Sequence, residues 1–240
     1  MPARLVRASA IFVAVALSAC QAAATAAPPS AGGSATQAPP SAGQTSLPAP
    51  SPSTGPTGIP ADEVTGSPGA LTSGRYTRRG FEPRITFQVD GPWHSENAFH
   101  GFFDVQQDVG SPDVIAVQFA TPDQIYAAPD QPSPITTAEA ASTALQHNTR
   151  LVTVESSSSR IGGLSGFQVT VENPADKVGD AQVMHVSAGA LSISPGRRLW
   201  CAFFDTPEGV LAILVGGSVA RWDAALAAAE PVLESVTIGQ

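Results

Sequence analysis

Four residues in one short span, His94, Glu96, His100 and Asp104, carry imidazole and carboxylate groups at even spacing, so a strand would set them on a single face. Those are the groups that ligate zinc or relay protons. Along a straight strand, however, positions 94 and 100 lie roughly 20 Å apart, so only a sharp turn would unite them. A solvated strand face accounts for the same residues. Gly163-Leu164-Ser165-Gly166 invites comparison with a nucleophile elbow, but Phe167 stands where that motif requires glycine. A glycine-rich turn at a strand entrance explains it. Cys201 sits among Leu199, Trp200 and Phe203, where the thiol form is favoured and reactivity suppressed, which marks a core residue. Gly216-Gly217-Ser218 ahead of a helix could offer free N–H groups to an anion, yet it lacks the basic residue of a phosphate loop. Arg197-Arg198, after Pro195-Gly196, reads as an exposed hairpin tip and a possible partner contact. None of these constellations makes a catalytic motif, and no metal or cofactor is expected.

The one chemistry with a clear signature is covalent modification of Cys20. Leu17-Ser18-Ala19-Cys20 closes a short leader with Arg4 and Arg7 in front and an apolar run from Ile11 to Leu17. This resembles the bacterial lipobox, in which a branched apolar residue and two small ones precede the cysteine that carries the lipid. The resemblance implies removal of residues 1 to 19, diacylation of the Cys20 sulfur, and a mature protein tethered outside the cytoplasmic membrane. The apolar run is about half the roughly 20 residues of a spanning helix. Acyl chains contribute about 0.8 kcal/mol per buried methylene, so two of them anchor stably. Only Cys20 and Cys201 exist, so lipidation of the first leaves no intramolecular disulfide.

Residues 21 to 60 hold no charged side chain and carry nine prolines, from Pro28 to Pro60. Such a segment has too few large apolar groups to offset its ordering entropy. Residues 20–70 are therefore expected to form a disordered stalk, with one globular domain over 71–240. As a flexible coil the stalk would span roughly 40 Å, enough to lift the domain off the headgroups. Acidic residues number 20 against 12 basic ones, two of which lie in the leader, so nucleic acid is excluded as a partner on charge and anionic lipid is disfavoured.

Within the domain, Gly74 to Thr77 begins the first expected strand. Ile85-Thr86-Phe87-Gln88-Val89 alternates as a strand with one wet face, and Asp90-Gly91-Pro92 turns the chain into Trp93. His94 to Val105 reads as a strand with a polar outer face, and Val114 to Phe119 as one covered on both sides. Four prolines make 121–135 a long loop, and Thr136-x-x-Glu139 caps a helix that runs to about His147. Leu151 to Glu155 is a strand, the serines 156–159 a loop, and Phe167 to Glu172 an alternating strand. Val183 to Val186 and Leu191 to Ile193 are weaker ones. Leu199 to Phe204 and Val210 to Val215 are apolar on both faces and form a central antiparallel hairpin. A helix with Trp222, Ala225, Leu226 and Ala229 on one stripe follows, kinked or restarted by Pro231, and Val236 with Ile238 adds a last strand. These elements make an α+β domain: a mostly antiparallel sheet flanked by helices.

A Gly-x-Tyr start, an Ile-x-Phe-x-Val strand closed by Gly-Pro-Trp, a Gly-Gly-Leu-x-Gly-Phe turn and a helix ending in Leu-Glu-Ser-Val resemble PsbP-like lipoprotein domains of bacterial envelopes. The resemblance implies an α/β/α sandwich that acts by binding, and it transfers no catalytic residue. The chain is thus read as an extracytoplasmic lipoprotein and not an enzyme, its partners the membrane through Cys20 and an envelope protein, peptide, lipid or small apolar ligand. The alternative is an extracellular hydrolase of unfamiliar type. Cys20→Ser should release the protein from the membrane without unfolding the domain. Detergent partitioning checks this, since a variant that still enters the detergent phase must bind membrane through another segment.

Overall fold

The apolar runs at 199–204 and 210–215 set the plan of the domain, because a hairpin with apolar side chains on both faces must be covered twice. The computed structural model describes residues 61–65 and 67–239, and the expected leader, Cys20 and most of the expected stalk lie outside them. In chain order come β1 (Asp62–Glu63), β2 (Gly69–Leu71), β3 (Gly74–Thr77), β4 (Ile85–Val89), β5 (Trp93–Phe99) and β6 (Phe102–Gln107). Next are β7 (Ile115–Ala120), β8 (Gln124–Ala128), β9 (Gln131–Pro134), α1 (Ala138–Gln146), β10 (Val152–Ile161) and β11 (Leu164–Asn173). The last are β12 (Ala181–Val186), β13 (Gly189–Ile193), β14 (Arg197–Thr206), β15 (Gly209–Ser218), α2 (Trp222–Ser235) and β16 (Thr237–Ile238).

An eight-stranded sheet in the order β10-β11-β14-β15-β7-β6-β5-β2 forms the middle layer, antiparallel at every pairing. Trp200, Phe204, Leu211, Ile213 and Val215 on one of its faces pack with Trp222, Ala225 and Ala229 of α2 and with Tyr76, Ile85 and Phe87 of the small sheet β1-β3-β4-β16. Phe87, Phe103 and Phe119 stack there, with ring centroids 4.6 to 5.9 Å apart. Leu199, Cys201, Phe203, Ala212 and Leu214 on the other face pack with Ala138, Ala141 and Leu145 of α1 and with β8 and β12 of the sheet β13-β12-β8-β9. The fold is the expected one, a mostly antiparallel sheet with helices on both faces. Two small sheets complete the cover that two short helices are too small to give. Glycine lets α2 approach, because a Cβ on Gly217 would meet that of Ala225 at 2.7 Å.

Local departures from expectation have local causes. The span 94–105 is two strands, because the chain reverses at His100-Gly101, with Gly101 at φ +71°. Residues 124–134 form the hairpin β8–β9, where Pro132 and Pro134 sit on an exposed edge strand that needs fewer N–H donors. Thr137, one residue later than expected, caps α1, its hydroxyl accepting from the Ala140 N–H at 3.1 Å. Pro231 lies inside an unbroken α2 on its exposed side, where water can satisfy the carbonyl it frees. The domain also starts upstream of residue 71: Val64 is fully buried, β1 pairs with β3 and β2 with β5.

Phe203 and Ile213 are fully buried on opposite faces of the central hairpin. Alanine at either site should cost on the order of 2 to 5 kcal/mol, measured by urea unfolding. A loss well below 1 kcal/mol would mean that the covering layer on that face collapses into the cavity at little cost.

Candidate functional site

The turn that could have united His94, Glu96, His100 and Asp104 exists, but it does not bring them into one site. His94 pairs opposite Gln106 at one end of β5, while His100 lies in the turn at the other. Asp104 is buried and fully engaged: the Asn97 backbone N–H donates to Oδ1 at 2.8 Å, and Asn97 Nδ2 and Gln106 Nε2 donate to Oδ2 at 3.1 and 2.8 Å. The register of β5 against β6 slips between Ser95 and Ala98, so this carboxylate braces a β-bulge. Among the described residues no group of three or more His, Cys, Asp or Glu is placed to hold a metal ion.

The other sequence candidates also take structural positions. Ser165 is exposed on β11 opposite Arg160, one residue into a strand and not on an elbow. Cys201 is fully buried and in no disulfide, and burial pushes its thiol pKa far up. Gly216 and Gly217 belong to β15, and the Ser218 hydroxyl donates to Asp113 instead of capping a helix. Arg197 and Arg198 are not a tip. The Arg197 guanidinium donates to the carbonyls of Pro112 and Val114 at 3.0 and 2.8 Å, while Arg198 bridges Glu172 at 2.7 Å and lies 5.6 Å from the Trp222 ring centroid. Open clefts include one of about 350 Å³ beside Arg198, Arg221 and Trp222 and another of about 400 Å³ beside Glu63, Arg78, Arg79 and Arg84. Both carry charged walls, and neither is lined by serine, cysteine or histidine.

The surface left unsatisfied is an edge. β10 is ten residues long, hydrogen-bonded to β11 on one side only, and exposed over most of its length. Its alternate backbone N–H and C=O groups therefore point outward without a partner strand. The serines 156–159, expected as a loop, are strand residues because β11 templates them: Ser156 pairs with Val169, Ser157 with Gln168 and Ser158 with Phe167. Gly162 and Gly163, at φ +59° and +86°, form the two-residue turn whose handedness fits a hairpin and which fixes that register. Val152 and Val154 on this edge strand and Phe167 on its neighbour β11 are 52, 46 and 38% exposed. Glu155 accepts from the Thr170 hydroxyl at 3.1 Å. The available signal was Gly-Gly between two ten-residue runs, which pairs the serines with the alternating strand once the glycines are taken as a tight hairpin turn.

No protein-family model matches the chain, and no curated protein matches it. Among solved structures it is similar to a cyanobacterial PsbP (CyanoP) from Synechocystis sp. PCC 6803, with 11% identity and a TM-score of 0.40 over 77% of this chain and 100% of that one. It is also similar to LpqN, involved in cell envelope biogenesis of Mycobacterium tuberculosis, with 12% identity and a TM-score of 0.37 over 72% of this chain and 91% of that one. No residue role is carried over from either.

Asp104 gives a pH signature. Burial raises its carboxyl pKa above the ordinary 3.8, and the donors from Gln106 and Asn97 only partly offset this. The folded state therefore holds the proton more tightly than the unfolded one. Its contribution to stability is complete below about 3.8 and declines as pH rises through the folded value. The stability of the wild type relative to Asp104→Asn, followed by urea unfolding from about pH 3 to 8, should shrink with rising pH. A margin that grows with pH would mean that the three donors outweigh burial.

Proposed function

We propose that the chain is a non-catalytic interaction module held outside the cytoplasmic membrane by a diacylglyceryl group on Cys20, and that it works by adding a partner strand to β10. The lipobox-like Leu17-Ser18-Ala19-Cys20 supports the location. The observation that carries the interaction is the open edge of β10, ten residues without proline or lysine. Open edges of this length are ready templates for main-chain pairing, which gives affinity through hydrogen bonds more than through side-chain chemistry. Two of the residues that would support a hydrolase are engaged elsewhere: Cys201 is sealed in the core, and Asp104 braces a bulge. Charged walls in both clefts favour a protein partner over a small apolar ligand.

Hydrogen exchange read by mass spectrometry tests this on the full chain. In native membranes the amides of 152–161 should exchange markedly more slowly than in the detergent-purified chain at high dilution. Equally fast exchange in both would overturn strand addition at β10.

A further inference from the structure

We infer that the strand added to β10 is β10 of a second copy, paired antiparallel about a two-fold axis; this rests on the reading of β10 as the interaction surface. A two-fold axis normal to the sheet keeps every side chain on its own face. In such a pair one residue must therefore face its own counterpart. The central candidates are Ser157 and Ser158. With Ser157 on the axis, Ser156 faces Ser158 of the second copy and Glu155 faces its Ser159. With Ser158 on the axis, Ser157 faces Ser159 of the second copy and Ser156 faces its Arg160. In each register three of the four serines pair among themselves, the fourth faces a single charged residue, and like charges never oppose each other. The serine side chains at the centre are small, so two strands can close there to the ordinary spacing of about 4.8 Å without a clash.

Two further observations favour a second copy over a foreign peptide. Strand addition gains sequence selectivity from pockets that read alternate side chains. Neither of these two clefts is lined by any residue of β10 or β11, so neither offers a foreign strand on β10 a pocket to read it, whereas self-pairing needs none. The remaining edges are also poor templates: β1 and β16 have two residues each, β2 has three, and β9 carries two prolines. β13, with five residues, is half the length of β10. Pairing through β10 uses up the one long edge among the described residues of each copy, so assembly through these edges stops at a closed dimer.

Single cysteines at Ser157, Ser158 and, as a control in the turn after β6, Val109 test this in the full chain in its own membranes. Cys201 is buried and contributes no accessible thiol. After mild copper–phenanthroline oxidation, Ser157→Cys or Ser158→Cys should give a band of doubled mass on non-reducing gels, one more strongly than the other, and Val109→Cys should give none. No doubled band at either serine, or equal bands at all three positions, overturns the inference. Sedimentation of the detergent-solubilised chain supplies a readout without new thiols. Outward N–H groups alternate, so one of Ser157→Pro and Ser158→Pro removes an inter-copy hydrogen bond. That variant should weaken a measurable dimer about tenfold while its circular dichroism stays native. A chain that is monomeric throughout the accessible concentration range also overturns the second copy as occupant. If the amides of 152–161 are protected in membranes while no self-cross-link forms, the module reading survives and the occupant is a different protein.

Discussion

Everything in this domain answers to one constraint: β14 and β15 carry large apolar side chains on both faces and cannot meet water on either. Their pairing runs unbroken from Arg197 opposite Ser218 to Thr206 opposite Gly209, so the hairpin presents two continuous apolar faces. One face recruits α2 and β4, the other α1, β8 and β12. Even the helix ends are tied to it. The Ala138 N–H at the start of α1 donates to Asp205 Oδ1 at 2.7 Å, so a side chain at the far end of β14 fixes where that helix begins. At Gly166, where a Cβ would collide with the Phe203 carbonyl, β11 has to be glycine to lie against β14 at all.

The same constraint explains why β10 is left open. Cover is concentrated over the middle of the sheet, and it thins with distance from the central hairpin. β11 still buries Val169, Thr170 and Val171, but its neighbour β10 is exposed at seven successive residues from Val152 to Ser158. Such a strand gains little from burying apolar surface and much from its ladder to β11. A row of serines suits it, since larger apolar residues there would have nothing to pack against and would invite unspecific aggregation.

The fold was legible wherever hydrophobic period decided the structure. Ile85 to Val89, Phe167 to Glu172, the central hairpin and both helices follow from spacing alone, because the period of burial and the period of the backbone coincide there. It was illegible where the partner decided. Ser156 to Ser159 and Gln131 to Pro134 have compositions typical of loops, and each is a strand only because a neighbouring strand supplies its hydrogen bonds. The candidate surface fell into that blind spot. An edge strand is defined by what is missing beside it, which no local pattern encodes. Arg197 and Arg198 were misjudged for a related reason. Two adjacent arginines look solvated in a sequence, yet here their donors satisfy the carbonyls of Pro112 and Val114 and the carboxylate of Glu172.

That use of arginine has an electrostatic consequence. Arg78 donates to the Val64 carbonyl and Arg150 to those of Val178 and Gly179, so these cations, like Arg197, clamp neighbouring chain segments, while Arg198 pairs with Glu172 across the sheet. The acidic residues, 20 against 12 basic in the whole chain, leave the surface net negative. Two copies then repel at long range, and salt screens that repulsion beyond about 8 Å at physiological ionic strength. Contact between copies is therefore favoured where short-range pairing operates with little charge. The four uncharged serines of β10 are such a window. On a membrane, where the proposed lipid anchor would hold copies in one plane, a main-chain ladder that is weak in dilute solution would gain from the raised local concentration. The acidic surface restricts where copies meet, and the proposed tether would raise how often they do.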